Sequence, residues 1–431
     1  MAFGCGKRGY TLICLLCLAA CGFLALAADG AHAQNFETTI TPLADSVTAR
    51  ARPDYDPPGA RMGTFVAHAR LPVTEIYDDN IYATDANRKS DAVTEIQPQL
   101  DIESQWGRHS FSVSVQGDLT YHASATTEDY QNVTARQKAR IDIGPADYLS
   151  DEVYYHKYQE ARTSVDDPRG VTPTKIDEKG GTLEFRSQTG AIVATVRGTI
   201  ADSTFHNTYR ADGSVINNHD RDRTWGTASV ELGLDTGGAI RPFVQVIGMK
   251  VNYKQAVDDF GLNRDSKGYA INGGFVFPVT ALIQGRIFGG YIARLFKDPA
   301  LPDIHDIGYG ADLVWSPSTT TSIEINALKT VEETTLDRSS AAATSTASIG
   351  LDQQIGRNLL LHARALFERA HYVGIVRTDD FWDGSLNLTY LMNHYMRASL
   401  GYEYSKRDAK NVPATNSYRR NQASFTLQLQ F

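Results

Sequence analysis

The chain has 431 residues, 42% apolar, 10% aromatic and 21% charged, with 35 Gly, 15 Pro and a net charge of -8. That composition excludes collagen-like and low-complexity chains and holds too much apolar material for disorder throughout. A mean hydropathy of -0.32, with no apolar run of about 18 residues after the N-terminus, excludes a polytopic helical membrane protein.

Lys7 and Arg8 precede an almost wholly apolar stretch over residues 10–28. Ala31 and Ala33 then put small residues where a signal peptidase reads, so residues 1–33 are expected to be a signal peptide cleaved before Gln34. Two other readings compete. One is an uncleaved anchor. The other is a lipoprotein box, Leu18-Ala19-Ala20-Cys21, with lipid on Cys21, although the apolar run continues past it through Phe23. All four cysteines (Cys5, Cys14, Cys17, Cys21) lie in this segment. The mature chain is thus expected to lack disulfides, thiolate metal sites and a cysteine nucleophile. Loss of Lys7, Arg8 and Asp29 leaves 40 basic against 49 acidic residues, or -9, which argues against a nucleic-acid partner.

Residues 34–62 show no alternation and contain Pro42, Pro53, Pro57, Pro58 and Gly59, which reads as an extended periplasmic lead-in. Glu37-Thr38-Thr39-Ile40-Thr41 faintly resembles the energy-coupling box of active outer-membrane transporters. Those have about 22 strands around a plug, which this chain is too short to supply.

From residue 63 the pattern has a period of two. Phe111, Val113, Val115, Gly117, Leu119 and Tyr121 alternate with Ser112, Ser114, Gln116, Asp118 and Thr120. Similar sets run from Ile307 to Trp315, from Trp382 to Tyr390 and from Met396 to Tyr404. Short turn signals centre on Gly107, Pro145, Gly190, Gly237, Pro278, Pro317, Gly356 and Asn393, roughly forty residues apart. Between them lie longer polar stretches, such as 78–91, 122–129, 161–175, 204–220 and 405–416. The segments are longer than ordinary strands, and short and long connections alternate, as in a membrane-spanning barrel. Aromatics (Trp106, Phe277, Trp315, Tyr390, Tyr395; Tyr121, Tyr253, Tyr402, Tyr404) gather near the two ends, as two girdles would require. The expected fold is all-β: a transmembrane antiparallel up-and-down barrel over 63–431, of about 18 strands with 16 as the alternative. Its turns would be periplasmic and its long loops extracellular. Pro72, Pro98 and Pro242 are the weakest points, because proline removes a ladder donor.

At the C-terminus Ala423, Phe425, Leu427, Leu429 and Phe431 alternate with polar residues and the chain stops. A terminal Phe on such a strand resembles the signal read by the barrel-assembly machinery. The stretches Arg52-Pro53-Asp54-Tyr55-Asp56-Pro57-Pro58-Gly59 and Ile76-Tyr77-Asp78-Asp79-Asn80-Ile81-Tyr82 resemble the putative beta-barrel porin 2 family of Gram-negative outer-membrane proteins. The resemblance implies an outer-membrane barrel, surrounded by outer-membrane lipid and lipopolysaccharide. It carries no catalytic motif, and some members sit in exopolysaccharide-export loci.

The polar parity is then expected to face a lumen: Arg136, Lys138 and Arg140 on the fourth strand, then Glu184 and Arg186, Arg197, Arg286, Glu324, Arg364 and Glu368, and Arg397 with Glu403. Gln97, Gln99, Asp101, Glu103, Glu231, Asn326 and His362 share that parity. Charges facing hydrocarbon would cost about 2–4 kcal/mol each. Asp118 and Glu152 are too few to neutralise the basic row, so it should attract anions. The loop histidines lie in no nucleophile motif, and Asp78-Asp79-Asn80 and the 217–222 stretch lack the pattern of a Ca²⁺ loop. No cofactor, metal or enzymatic activity is expected. The leading function is passive passage of small hydrophilic solutes. The alternatives are an exopolysaccharide-export or secretion accessory barrel, and a non-conducting structural or enzymatic barrel. The solute and oligomeric state are not written in the sequence.

Overall fold

The computed structural model describes residues 46–277, 282–412 and 417–431. The signal peptide, Cys21, the cleavage site at Gln34 and the turn at Pro278 lie outside the described residues. A short strand, Ala60–Met62, makes a hairpin with β1, Phe65–Asp78. The next strands are β2 (Asp91–Ile96 and Gln99–Ser104), β3 (Ser110–His122), β4 (Tyr130–Asp142), β5 (Tyr148–Gln159) and β6 (Lys175–Thr189). Then come β7 (Ile192–Phe205), β8 (Arg223–Leu234), β9 (Arg241–Tyr253), β10 (Ser266–Phe277), β11 (Ile283–Phe296) and β12 (Ile304–Ser318). The last six are β13 (Thr321–Glu332), β14 (Ala342–Ile355), β15 (Leu359–Tyr372), β16 (Arg377–Asn393), β17 (Met396–Lys410) and β18 (Tyr418–Gln430).

Every strand pairs antiparallel with its chain neighbours, and β18 pairs with β1 from Arg70↔Gln430 to Asp78↔Gln422. The sheet is therefore closed, with 18 strands and no exposed edge. Phe431 completes the seam, exchanging both backbone hydrogen bonds with Ala69 at 2.8 and 2.9 Å. Its ring lies outside, stacked on Tyr395.

Alternation decides which face is which. On β3 the residue row ending in Tyr121 points out, while Asp118 and Thr120 point in toward Asn132 of β4. Outward residues such as Ile200, Val246, Ile271, Ile307 and Leu400 are about half exposed or more, a belt for hydrocarbon.

The prolines behave as their chemistry requires. Pro98 interrupts β2, yet the register with β1 is the same on both sides of the break. Pro242 pairs with Phe275 near the short-turn end of β9. Pro317 is not a turn centre. It lies in a register shift between Trp315 and Ser318, and the chain reverses at Thr319 and Thr320. Strand β17 runs to Lys410, further than its polar residues suggest, because outward Lys406 pairs with Asp408 and Lys410 with Asp380 above the belt. Tyr253 does not join a girdle. It points inward and its hydroxyl donates to Glu333 at 2.6 Å.

Candidate functional site: a divided lumen

The inward residues of β7–β12 fill their half of the barrel. Ala201, Trp225, Ile247, Met249, Val251, Ala270, Ile292 and Ile304 form one apolar cluster, with Tyr154 packed against it. Toward the short turns, Arg286 of β11 reaches across to Glu231 of β8 at 2.7 Å and lies 3.7 Å over the Phe243 ring. An ion pair between strands three apart means the wall is folded back on itself here. Next-but-one strands should lie nearly 10 Å apart. Yet a Cβ on Gly308 of β12 would stand 3.7 Å from Asn272 Oδ1 of β10, with β11 between them. A side chain at Gly308 or Gly310 would press on Ile292 or Phe288 of β11, so small residues at these inward positions let the wall turn a sharp corner.

The other half is open. A cavity of about 530 Å³ is bounded mainly by inward residues of β1–β4, β13 and β15–β18. Its walls carry Asp78, Glu95, Glu324, Arg364, Glu403 and Arg420, with Asn326, His362, Asn387 and Thr426 between them. Arg364 stands in the field of Glu324, Asp383 and Glu403. Asp78 is held by Arg420, with Nε at 2.7 Å, and Asp78 Oδ1 accepts from the Asn80 amide at 2.8 Å.

The roof is the 160–174 loop, whose Glu160, Ala161, Arg162, Thr163 and Pro173 line the cavity. Three buried arginine contacts fix it. Arg162 donates to both Glu128 oxygens at 2.8 Å, Arg221 donates to both Glu160 oxygens at 2.8 Å, and Arg407 of β17 donates to the Thr163 carbonyl. Asp166 accepts from the amide of Thr335 and the hydroxyls of Thr334 and Thr335, in the loop after β13. Since β5 and β13 lie nearly opposite, the loop crosses the mouth. Burial opposes ionisation of Glu160, but the Arg221 guanidinium outweighs it and holds the carboxyl below its ordinary range. For Asp167 burial prevails over Arg162 and Arg169 and raises it.

The floor is a surprise from the lead-in. Residues 46–59 are not extended. They make two turns and lie across the short-turn mouth. Val47 is fully buried, its amide donating to Ser322 Oγ at 2.8 Å, and Thr48 donates to Asp352 at 2.9 Å. At the far end of this strap Asp56 pairs with Arg397 at 3.0 Å and the Tyr55 carbonyl accepts from Gln430. Ser46 bonds Glu324, which also lines the cavity.

The residues singled out from parity fall on the inward face, but they are not one site. Glu324, Arg364 and Glu403 meet at the cavity. Glu184 pairs with Arg197 and accepts from Tyr148 at 2.7 Å, and Arg186 donates to the Ala146 carbonyl. Glu368 accepts from Thr346, Arg397 holds the strap, and Arg286 belongs to the filled half. The basic row lies nearer the short turns than the cavity. Glu152 takes Arg136 at 2.9 Å and Lys138 at 3.3 Å, and Asp142 takes Arg140 at 2.7 Å. Asp118 does not reach it, serving Asn132 and Thr120 instead. Three cations thus face two carboxylates. Sequence reasoning missed Glu160, Arg162 and Arg221, which belong to no periodic run. It also missed Asp78, Glu95 and Arg420, whose parity would have revealed them. No cluster fit to hold a metal occurs among the described residues.

A closed, even-stranded antiparallel barrel with an apolar belt outside and charge inside is an outer-membrane barrel of the porin class. The chain belongs to the family described as Putative beta-barrel porin 2, whose model matches residues 52–431. Among solved structures it is similar to a BenF-like porin from Pseudomonas fluorescens Pf-5 (13% identity, 85% of this chain and 99% of that one, TM-score 0.46). It is also similar to OccK2 from Pseudomonas aeruginosa (10%, 85% and 97%, 0.46) and to the siderophore receptor PirA from Acinetobacter baumannii (5%, 85% and 80%, 0.44). No curated protein matches the chain.

Proposed function

We propose that the protein lets small hydrophilic solutes diffuse across the outer membrane of a Gram-negative bacterium, through the open half of its lumen. The long loops face outward and the strap faces the periplasm. The observation that carries this reading is the polar cavity of about 530 Å³ between the 160–174 loop and the strap. That is the scale of a small-molecule site, and carboxylates, amides and hydroxyls share its walls with the cations Arg162, Arg364 and Arg420. Mixed charge on these walls favours hydrated solutes over apolar ones. The test is reconstitution of the refolded barrel in planar bilayers, with liposome swelling in sugars of graded size. Discrete conductance steps, with monosaccharides passing faster than trisaccharides, are expected. A heat-modifiable, folded barrel with no conductance would overturn the reading.

A further inference from the structure

The outer wall carries a charge pattern that passage through the lumen does not use. Seven of the twelve lysines after residue 33 stand at its long-loop end between β5 and β11. At the centre of this patch Lys250 of β9 is paired directly opposite Lys267 of β10, both on the outward, exposed face. Like charges opposed across a ladder repel. Neither lysine makes an ion pair among the described residues, whereas flanking Lys254 and Lys297 are satisfied by Asp202 at 3.0 Å and Asp265 at 3.1 Å. The far wall differs. There Arg369 and Lys410 share Asp380, and Lys406 holds Asp408.

Below the lysine pair stands an aromatic step. Tyr269, two residues down β10 from Lys267, packs at 6.2 Å from Tyr291, whose hydroxyl lies 2.7 Å from His305 Nδ1. Beneath these come Val244, Val246, Ile271 and Ile307, all about half exposed or more. Descending the wall, cation gives way to aromatic and then to aliphatic, which is the order of headgroup, interface and hydrocarbon in a leaflet. We infer that Lys250 and Lys267 bind a phosphate of the phosphorylated glycolipid that forms the outer leaflet, with Tyr269 and Tyr291 against its sugar and proximal acyl chains. A single anion between two opposed ammonium groups removes their repulsion, and acidic Asp202 and Asp265 beside them are already neutralised. This inference rests on the outward orientation proposed above but not on conduction.

The test is native mass spectrometry of the detergent-solubilised full barrel with added bisphosphorylated lipid A. The same lipid after dephosphorylation and phosphatidylglycerol serve as comparators. The wild-type protein should retain bisphosphorylated lipid A in preference to both. Lys250→Gln with Lys267→Gln should weaken that binding about thirtyfold, as loss of two surface cations implies. Lys406→Gln with Lys410→Gln on the far wall should leave it unchanged. Heat modifiability shows whether each variant is folded. Undiminished binding by the folded Lys250/Lys267 variant would overturn the site. Equal retention of phosphatidylglycerol would overturn the assignment to the glycolipid. Either result leaves the conductance experiment to stand or fall by itself.

Discussion

The two halves of the lumen are built from one strand pattern and reach opposite ends. In β7–β12 the inward positions hold Ile247, Met249, Val251 and Ile292, which pack across to Trp225 and Ala201. In β1–β4, β13 and β15–β18 the same positions hold residues such as Asp78, Glu95, Asn387 and Glu403, which leave a cavity. Strand alternation therefore only guarantees two faces. Whether the inner face encloses water depends on whether its side chains gain more from each other than from solvent. Fully burying an Ile or Met side chain contributes about 1.5–3 kcal/mol, so a handful of them drives one sector shut.

The contrast is most exposed at the strap. Deleting residues 46–59 should raise single-channel conductance several-fold, because the strap crosses the mouth from the β12–β14 ends to Arg397 and Gln430, below the open half. Unaltered conductance in planar bilayers would mean that another element limits the pathway. Next in size is a charge in the filled half. Ile247→Asp places an unpaired carboxylate at a fully buried site and should lower stability by about 3–5 kcal/mol, read from urea unfolding. Asn387→Ala on the open side should stay within about 0.5 kcal/mol of the wild type while changing conductance.

The roof gives a pH-dependent version of the same contrast. The Glu160 carboxyl is held below its ordinary range, so its contribution to loop anchoring is complete above the unfolded carboxylate value. It is lost only as pH falls through the lowered folded value. Current noise and proteolysis of the 160–174 loop should therefore rise in strong acid. Glu160→Gln should show both at neutral pH, and quiet, protected channels in that variant would remove the loop's role as roof. The smallest effect concerns Arg136, Lys138 and Arg140. Replacing all three by Gln should move the reversal potential modestly toward cations, since two carboxylates already offset the row. No movement in a conducting barrel would place the row off the ion path.

Much of the barrel was legible because polar and apolar residues alternate over segments as long as a membrane is thick. That gave the strand count, most turns and the inward parity of residues such as Arg197 and Glu324. Filling was harder to see. In β9 both faces are largely apolar, with Val244 and Val246 outside and Ile247 and Val251 inside, and this run, broken by Gln245 and Lys250, was the available sign of a closed sector. The strap escaped because its prolines suggest an extended chain, while its docking depends on Ser322, Asp352 and Arg397, some 270 to 340 residues away. Turn chemistry misled at Pro317, where a bulge rather than a reversal absorbs the missing donor.

The glycine corner has a consequence for how such proteins set their bore. A closed sheet has a perimeter fixed by its strands, and a fixed perimeter encloses most area when round. The tight bend at Gly308 and Gly310 flattens the outline, so the enclosed cross-section shrinks with no strand removed. Bulkier residues at those two positions would push the outline back toward a circle. In a barrel of this kind aperture is thus a property of where the smallest residues fall around the ring, and strand number sets only its upper limit.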